Sequence, residues 1–265
     1  MFSPEQIDAK KAYLTMLLTL DDITASTDMM KDVRNDADGL LSYFRNFRFL
    51  VITLTNLTDN LNQIERSLNA LGFKSSNMSQ LRRELDFIKH IRNKGVGHLD
   101  AKLLEKSIQW QPSLFNLEMK GNLIPSAIFS NIAVLELAIN SYVKESGEHK
   151  VFSSVIDFAY PPDFKQITEH ILAVSQSCVD YMTPRLEFLE ANIKYYEPLE
   201  ILHTSSVAAI TNFNLKAPSD YSYDKSDSLG KLQDSLERLC ELIESDEERE
   251  KIRGFLESRI KDRSI

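Results

Sequence analysis

Between Leu40 and Leu71, apolar side chains return at positions 44, 47, 51, 54, 57, 61, 64, 68 and 71. Steps of three and four residues keep such positions on one face of an α-helix. A stripe of that length needs an equally long apolar surface to cover it, so the chain is expected to fold by packing helix on helix. The same spacing recurs at Ile128, Ile132, Leu135, Ile139 and Tyr142, and again at Ile167, Ile171, Val174, Cys178, Tyr181, Leu189 and Ile193. Eight glycines and eight prolines in 265 residues are too few for a turn-rich β protein. The expected fold is all-α: a long-helix bundle with an additional helical C-terminal region. One short β-hairpin is left open where Phe115, Leu117 and Met119 alternate with Asn116, Glu118 and Lys120.

Punctuation along the chain refines this. A first helix is expected over 4–20, with Ile7, Tyr13, Leu17 and Leu20 inward, followed by a polar connection or broken helix. The long helix from Leu40 has a possible break near Asp59 and stops at Gly72. A helix over 77–94 follows, and Asp100 is placed to cap another over 101–109. Helix returns over 126–145 and over 163–196, where Thr183-Pro184 either kinks or restarts it. Residues 199–224 read as loop or a short strand. Leu229, Leu232, Leu236, Leu239 and Ile243 form a heptad-like seam, and Ser245 with Glu248 makes a capping box. Two regions are expected: 1–149, and a helical region 150–265 of unknown role, either separate or packed into the same domain.

The net charge of −8 means that any nucleic-acid contact must come from a local basic patch. Cys178 and Cys240 form no CxxC pair, which fits a reducing cytoplasm. No signal peptide and no membrane-length apolar segment is read, so a soluble cytoplasmic protein without a membrane partner is expected. Gly-rich phosphate loops, HExxH and GxSxG are all missing from the sequence. A di-iron bundle needs two ExxH motifs, and only Glu200–His203 exists. His149, His170 and His203 read as surface or satisfied core histidines. Neither a metal nor a cofactor is expected.

The remaining chemistry lies in HIRNKGVGHLD, residues 90–100. At 100° per residue, Leu81, Leu85, Ile88 and Arg92 share one stripe, while Arg83 and His90 fall on the opposite, solvated face. Arg92 therefore places a permanent charge on an apolar stripe, which is costly if it is buried without a partner. It reaches past the helix end, pairs with an acid such as Asp100, or lines a cleft that binds an anion. Gly95 and Gly97 would let the backbone leave helical geometry, or approach a ligand closely, and turn His98 back toward Arg92. Asn93 supplies a third polar group. Over 82–102, six basic side chains, Lys89, Lys94 and Lys102 among them, face three acidic ones, a local +3 in an acidic chain.

An Arg-Asn-x4-His motif after an amphipathic helix, within a set of long helices, resembles the HEPN superfamily. The Asn-Lys that follows Arg92 and the HLD ending are most similar to its abortive-infection-associated branch. The resemblance spans about residues 36–146 and is carried mainly by the motif, within which two glycines are unusual. It implies an all-α domain that forms a homodimer with two motifs facing one cleft, and metal-independent endoribonuclease activity in phage defence or as a toxin. The implied catalytic residues are Arg92, Asn93 and His98. Lys89, Lys94 and Lys102 would hold RNA, and Gly95, Gly97 and Asp100 would support the motif. An antitoxin or other regulatory partner is implied as well. Where one branch of the superfamily carries a Tyr two residues after the His, this chain has Asp100, so modification of that Tyr is not expected here.

Two other readings stand beside this one. The domain is a non-catalytic module that binds RNA, a nucleotide or a protein, or the seam at 229–243 is a partner surface. For the seam, a packed core helix is the plainer expectation.

Overall fold

A computed structural model describes residues 2–31, 34, 36–74 and 78–196. Among these, six α-helices follow in order: α1 (Pro4–Lys31), α2 (Ala37–Ala70), α3 (Ser79–Ile91), α4 (Ala101–Trp110), α5 (Leu123–Asn140) and α6 (Pro161–Asn192). The all-α expectation holds. The expected seam at 229–243, the capping box at 245–248, the uncertain stretch 199–224, and Glu200, His203 and Cys240 lie outside the described residues.

The stripe on α2 organises the core. Phe44, Phe47, Val51, Leu54, Leu57, Leu61, Ile64 and Leu68 are all buried. α1 and α6 pack against α2 and against each other, and α3 and α5 contact α2 as well. The helix shows no break at Asp59. It ends as expected: Gly72 adopts φ +89°, and the Phe73 N–H donates to the Leu68 carbonyl at 3.0 Å. Only glycine takes that backbone conformation without strain.

α1 departs from expectation in both length and facing. It runs unbroken to Lys31 and buries Ala9, Ala12, Met16, Thr19, Ile23, Ser26 and Met30. Ile7 and Leu17, expected inside, are exposed. Alanine, serine and threonine share the buried face with Met16, Ile23 and Met30, so its apolar stripe is diluted. α6 continues as one helix across Pro184, so the restart that was one of the two expectations there does not occur. Its neighbours Tyr181 and Arg185 are tied to Glu65 of α2.

The expected strand around 115–119 is instead two 3₁₀ turns, Pro112–Phe115 and Leu117–Met119. Phe115 and Leu117 remain exposed, so their alternation reports no buried sheet face. A single antiparallel bridge does occur, between Val143 and His149, after α5. α5 is 18 residues long and, by length and composition alone, apolar enough to cross a membrane, contrary to the expectation that no segment would be. It buries Ala133, Val134, Leu135, Ala138 and Ile139, and packs against α2, α3 and α4.

Met1–Ile193 forms one compact unit, which includes α6 and runs past the boundary read at 149/150.

Candidate functional site

α3 does not stop at Ile91. Its backbone continues as a π-helical turn over Arg92–Val96, and the Gly97 N–H donates to the Arg92 carbonyl at 2.7 Å. Such single wide turns in a helix are frequent at functional sites. The turn carries Arg92 and Asn93, and His98 follows it in the short link to α4.

The two glycines are explained by space rather than by backbone freedom. Gly97 is helical, with φ −79° and ψ −38°, and Gly95 lies within the π turn. A Cβ on Gly95 would stand 2.9 Å from Ala138 Cβ and 3.3 Å from the Val134 carbonyl oxygen, so its hydrogen lets the turn seat on α5. A Cβ on Gly97 would stand 2.6 Å from Arg92 Nε and 3.1 Å from Cζ. The Arg92 side chain therefore lies across Gly97, which brings its guanidinium beside the residue that precedes His98.

Arg92 is half-buried, and its Nη1 donates to Asn93 Oδ1 at 3.0 Å. No acidic side chain pairs with it among the described residues. Asp100, the acid considered for that role, is used elsewhere. Its Oδ2 lies 2.7 Å from Lys94 Nζ, and its Oδ1 accepts from the Lys102 and Leu103 amides to cap α4. The hydrogen bond from Lys94, then those from the amides, hold its carboxyl below the usual range. The expected cap is thus found. His98 and Asn93 are exposed, and His98 makes no hydrogen bond among the described residues.

The lysines expected to face RNA divide in two. Lys89 pairs with Asp59 at 2.7 Å and Lys94 with Asp100, while Lys102 is exposed and in no ion pair among the described residues. His90 is not the solvated residue expected. Its Nε2 lies 2.9 Å from Ser141 Oγ, and its ring packs on Tyr142 with centroids 4.9 Å apart. Burial first, then nearby Lys94, pushes its pKa down. Arg83 remains exposed. His149 is a satisfied histidine: Nδ1 accepts from the Val151 and Phe152 amides, so Nε2 carries the proton and donates to the Ile139 carbonyl at 2.9 Å. The His170 ring sits against Phe87 and Phe152, and burial lowers its pKa.

A cavity of about 500 Å³ opens beside the motif-bearing turn, between α4 and α5. Lys94, Lys102, Lys106, Trp110, Glu136 and Asn140 are among its lining residues. Sequence reasoning passed over Lys106, Trp110 and Glu136, although a signal was present. Lys102, Lys106 and Trp110 recur every four residues on α4, and Glu136 and Asn140 do so on α5, each set therefore sharing a helix face. Burial raises the Glu136 pKa, opposed by hydrogen bonds from the Phe158 amide and Gln111. Among the described residues no group of three or more His, Cys, Asp or Glu side chains is arranged to hold a metal ion.

Comparison with protein-family models, with curated proteins and with solved structures found no match to this chain.

Proposed function

We propose that the chain is a metal-independent endoribonuclease of HEPN type, working as a cytoplasmic homodimer in phage defence or as a toxin. One observation carries the reading. Arg92 is a half-buried guanidinium with no acid paired to it among the described residues, folded across Gly97 next to an exposed His98. A cation kept from neutralisation at a surface is suited to an anion, and a phosphodiester is the anion that an adjacent imidazole can help to cleave.

The chemistry needs few parts. The RNA 2′-oxygen attacks phosphorus as its proton leaves, the P–O5′ bond breaks, and the 5′-oxygen takes up a proton. The products are a 2′,3′-cyclic phosphate and a 5′-hydroxyl. His98 serves as base or acid, worth about 10²–10⁴ in rate. Arg92 stabilises charge on the phosphorane oxygens, and Asn93 steadies Arg92 through the bond between them. The second imidazole comes from the partner protomer. Exposed Phe115, Leu117 and Leu123 after α4 support a self-associating surface. An antitoxin or regulatory partner would act on the same face.

The test is cleavage of labelled single-stranded RNA by the full-length protein in excess EDTA. Cyclic-phosphate ends are expected, and Arg92→Ala or His98→Ala should lower the rate at least about 100-fold. Wild-type rates in both variants would exclude the reading. A second reading, a non-catalytic module that binds RNA, a nucleotide or a protein, draws on the net charge of −8 and on His98 having no hydrogen-bonded orienting group among the described residues. Retention of intact RNA without products would favour it.

A further inference from the structure

We propose that the cavity between α4 and α5 is a nucleotide subsite, holding one nucleotide of a single-stranded RNA with its base against Trp110 and its phosphate at Lys102 and Lys106. The proposal rests on the reading above for the identity of the strand but not for its chemistry.

The cavity's size, about 500 Å³, suits one small ligand. Its walls are sorted by chemistry. Lys102, Lys106 and Trp110 occupy one face of α4 and all line the opening. Lys106 Nζ stands over one face of the indole, 5.3 Å from its centroid, and donates to Gln109 Oε1 at 2.9 Å, so a cation already sits against the ring. Trp110 is 64% exposed, which leaves most of the ring open to a ligand. Leu103 and Leu137 add an apolar wall. On the α5 side Glu136 supplies an acceptor. Its Oε1 takes the Phe158 amide at 2.7 Å and its Oε2 takes Gln111 Nε2 at 2.9 Å, and the carboxyl also interacts with Asp157.

The site is built before any ligand arrives. Asn140 is locked by two bonds to the Ile156 backbone, donating to its carbonyl and accepting from its amide, each at 2.8 Å. Asp100 holds Lys94 at the edge nearest the motif. Phosphate, flat aromatic base and donor edge match cation, indole and carboxylate in turn. A simple acidic ligand would meet Glu136 and gain nothing from the indole. Stacking on an exposed aromatic ring beside a basic groove is the general way single strands are held without sequence preference.

Trp110 is the chain's only tryptophan, so its emission reports this cavity without a label. The full-length protein is titrated with adenosine 5′-monophosphate, with a 2′-O-methyl tetranucleotide that cannot be cleaved, and with inorganic phosphate. Saturable quenching by the first two is expected, with little change from phosphate. Charge reversal in the Lys102→Glu/Lys106→Glu variant should raise Kd at least tenfold, and the milder Lys102→Gln/Lys106→Gln variant serves if the first does not fold. Arg92→Ala should leave quenching by the mononucleotide intact. An unchanged emission, equal quenching by phosphate alone, or indifference to the lysine changes would each overturn the subsite. Cleavage without quenching removes the subsite alone. Quenching without cleavage keeps it and removes the nuclease reading.

Discussion

A single hydrogen at Gly97 decides where the Arg92 guanidinium can lie. In Gly97→Ala the added methyl would meet Arg92 Nε at 2.6 Å. The atom that must yield is the far end of a flexible side chain, so the fold should persist while the guanidinium is displaced. Thermal unfolding should shift little, and RNA cleavage should fall by about tenfold, the scale of a misplaced transition-state donor. Unchanged cleavage would mean that the guanidinium's position does not matter. Gly95→Ala should behave in the opposite sense. Its methyl presses on Ala138 and on the Val134 backbone, so stability should drop by about 1–3 kcal/mol in urea titration. The sequence made the oddity of two glycines inside the motif visible, but not its cause. A clash with an arginine stem five residues back exists only once the π turn has formed. Asp100 was legible as a cap because capping is local. That it also takes Lys94, and that Arg92 has no acidic partner among the described residues, was not, because such pairings are set in space.

Among the elements, α2 was the most readable and its cross-link to α6 the least. Glu65 lies beside the apolar stripe and is buried, as is Arg185, which is 3% exposed. Arg185 Nε and Tyr181 Oη both donate to Glu65 Oε1, at 2.9 and 2.7 Å. The partners lie 120 and 116 residues apart, so no local spacing could pair them. Removing one member strands the other's charge in the core. Glu65→Ala should cost about 3–5 kcal/mol in denaturant unfolding, and replacing both partners by well-packed apolar residues should recover most of that loss. If Glu65→Ala unfolds like wild type, the pair does not brace these helices. α1 hid its buried face for a different reason: alanine, serine and threonine interleave with Met16, Ile23 and Met30 there and dilute the hydropathy signal. The 3₁₀ turns at 112–119 mimicked a strand because a short run of alternating residues also fits exposed turns.

At the scale of the molecule, three imidazoles converge on one aromatic cluster. His149 and His170 pack against Phe87 and Phe152, and His90 joins through Tyr142. Lys94, Lys150, Glu84 and Asp86 are the charged groups nearest to it. The folded-state pKa values of His90 and His170 lie below the ordinary value near 6.5, chiefly because burial disfavours the cation. The unfolded chain therefore binds more protons in mild acid. The stabilisation is full above about pH 6.5 and is lost as pH falls through the lowered folded-state values. The melting temperature should decline from pH 7.5 toward pH 5.5, and His170→Phe should flatten that decline. An equal slope in the variant would remove His170 from the account.

The central claim is that Arg92 and His98 act as one unit on a phosphodiester. It is tested most directly by a double-mutant cycle on RNA cleavage with Arg92→Ala, His98→Ala and the pair together. Residues that act as a unit are far from additive, so the double variant should be no slower than the slower single variant, all three lying at least about 100-fold below wild type. Wild-type cleavage by His98→Ala, or losses that multiply in the double variant, would contradict it.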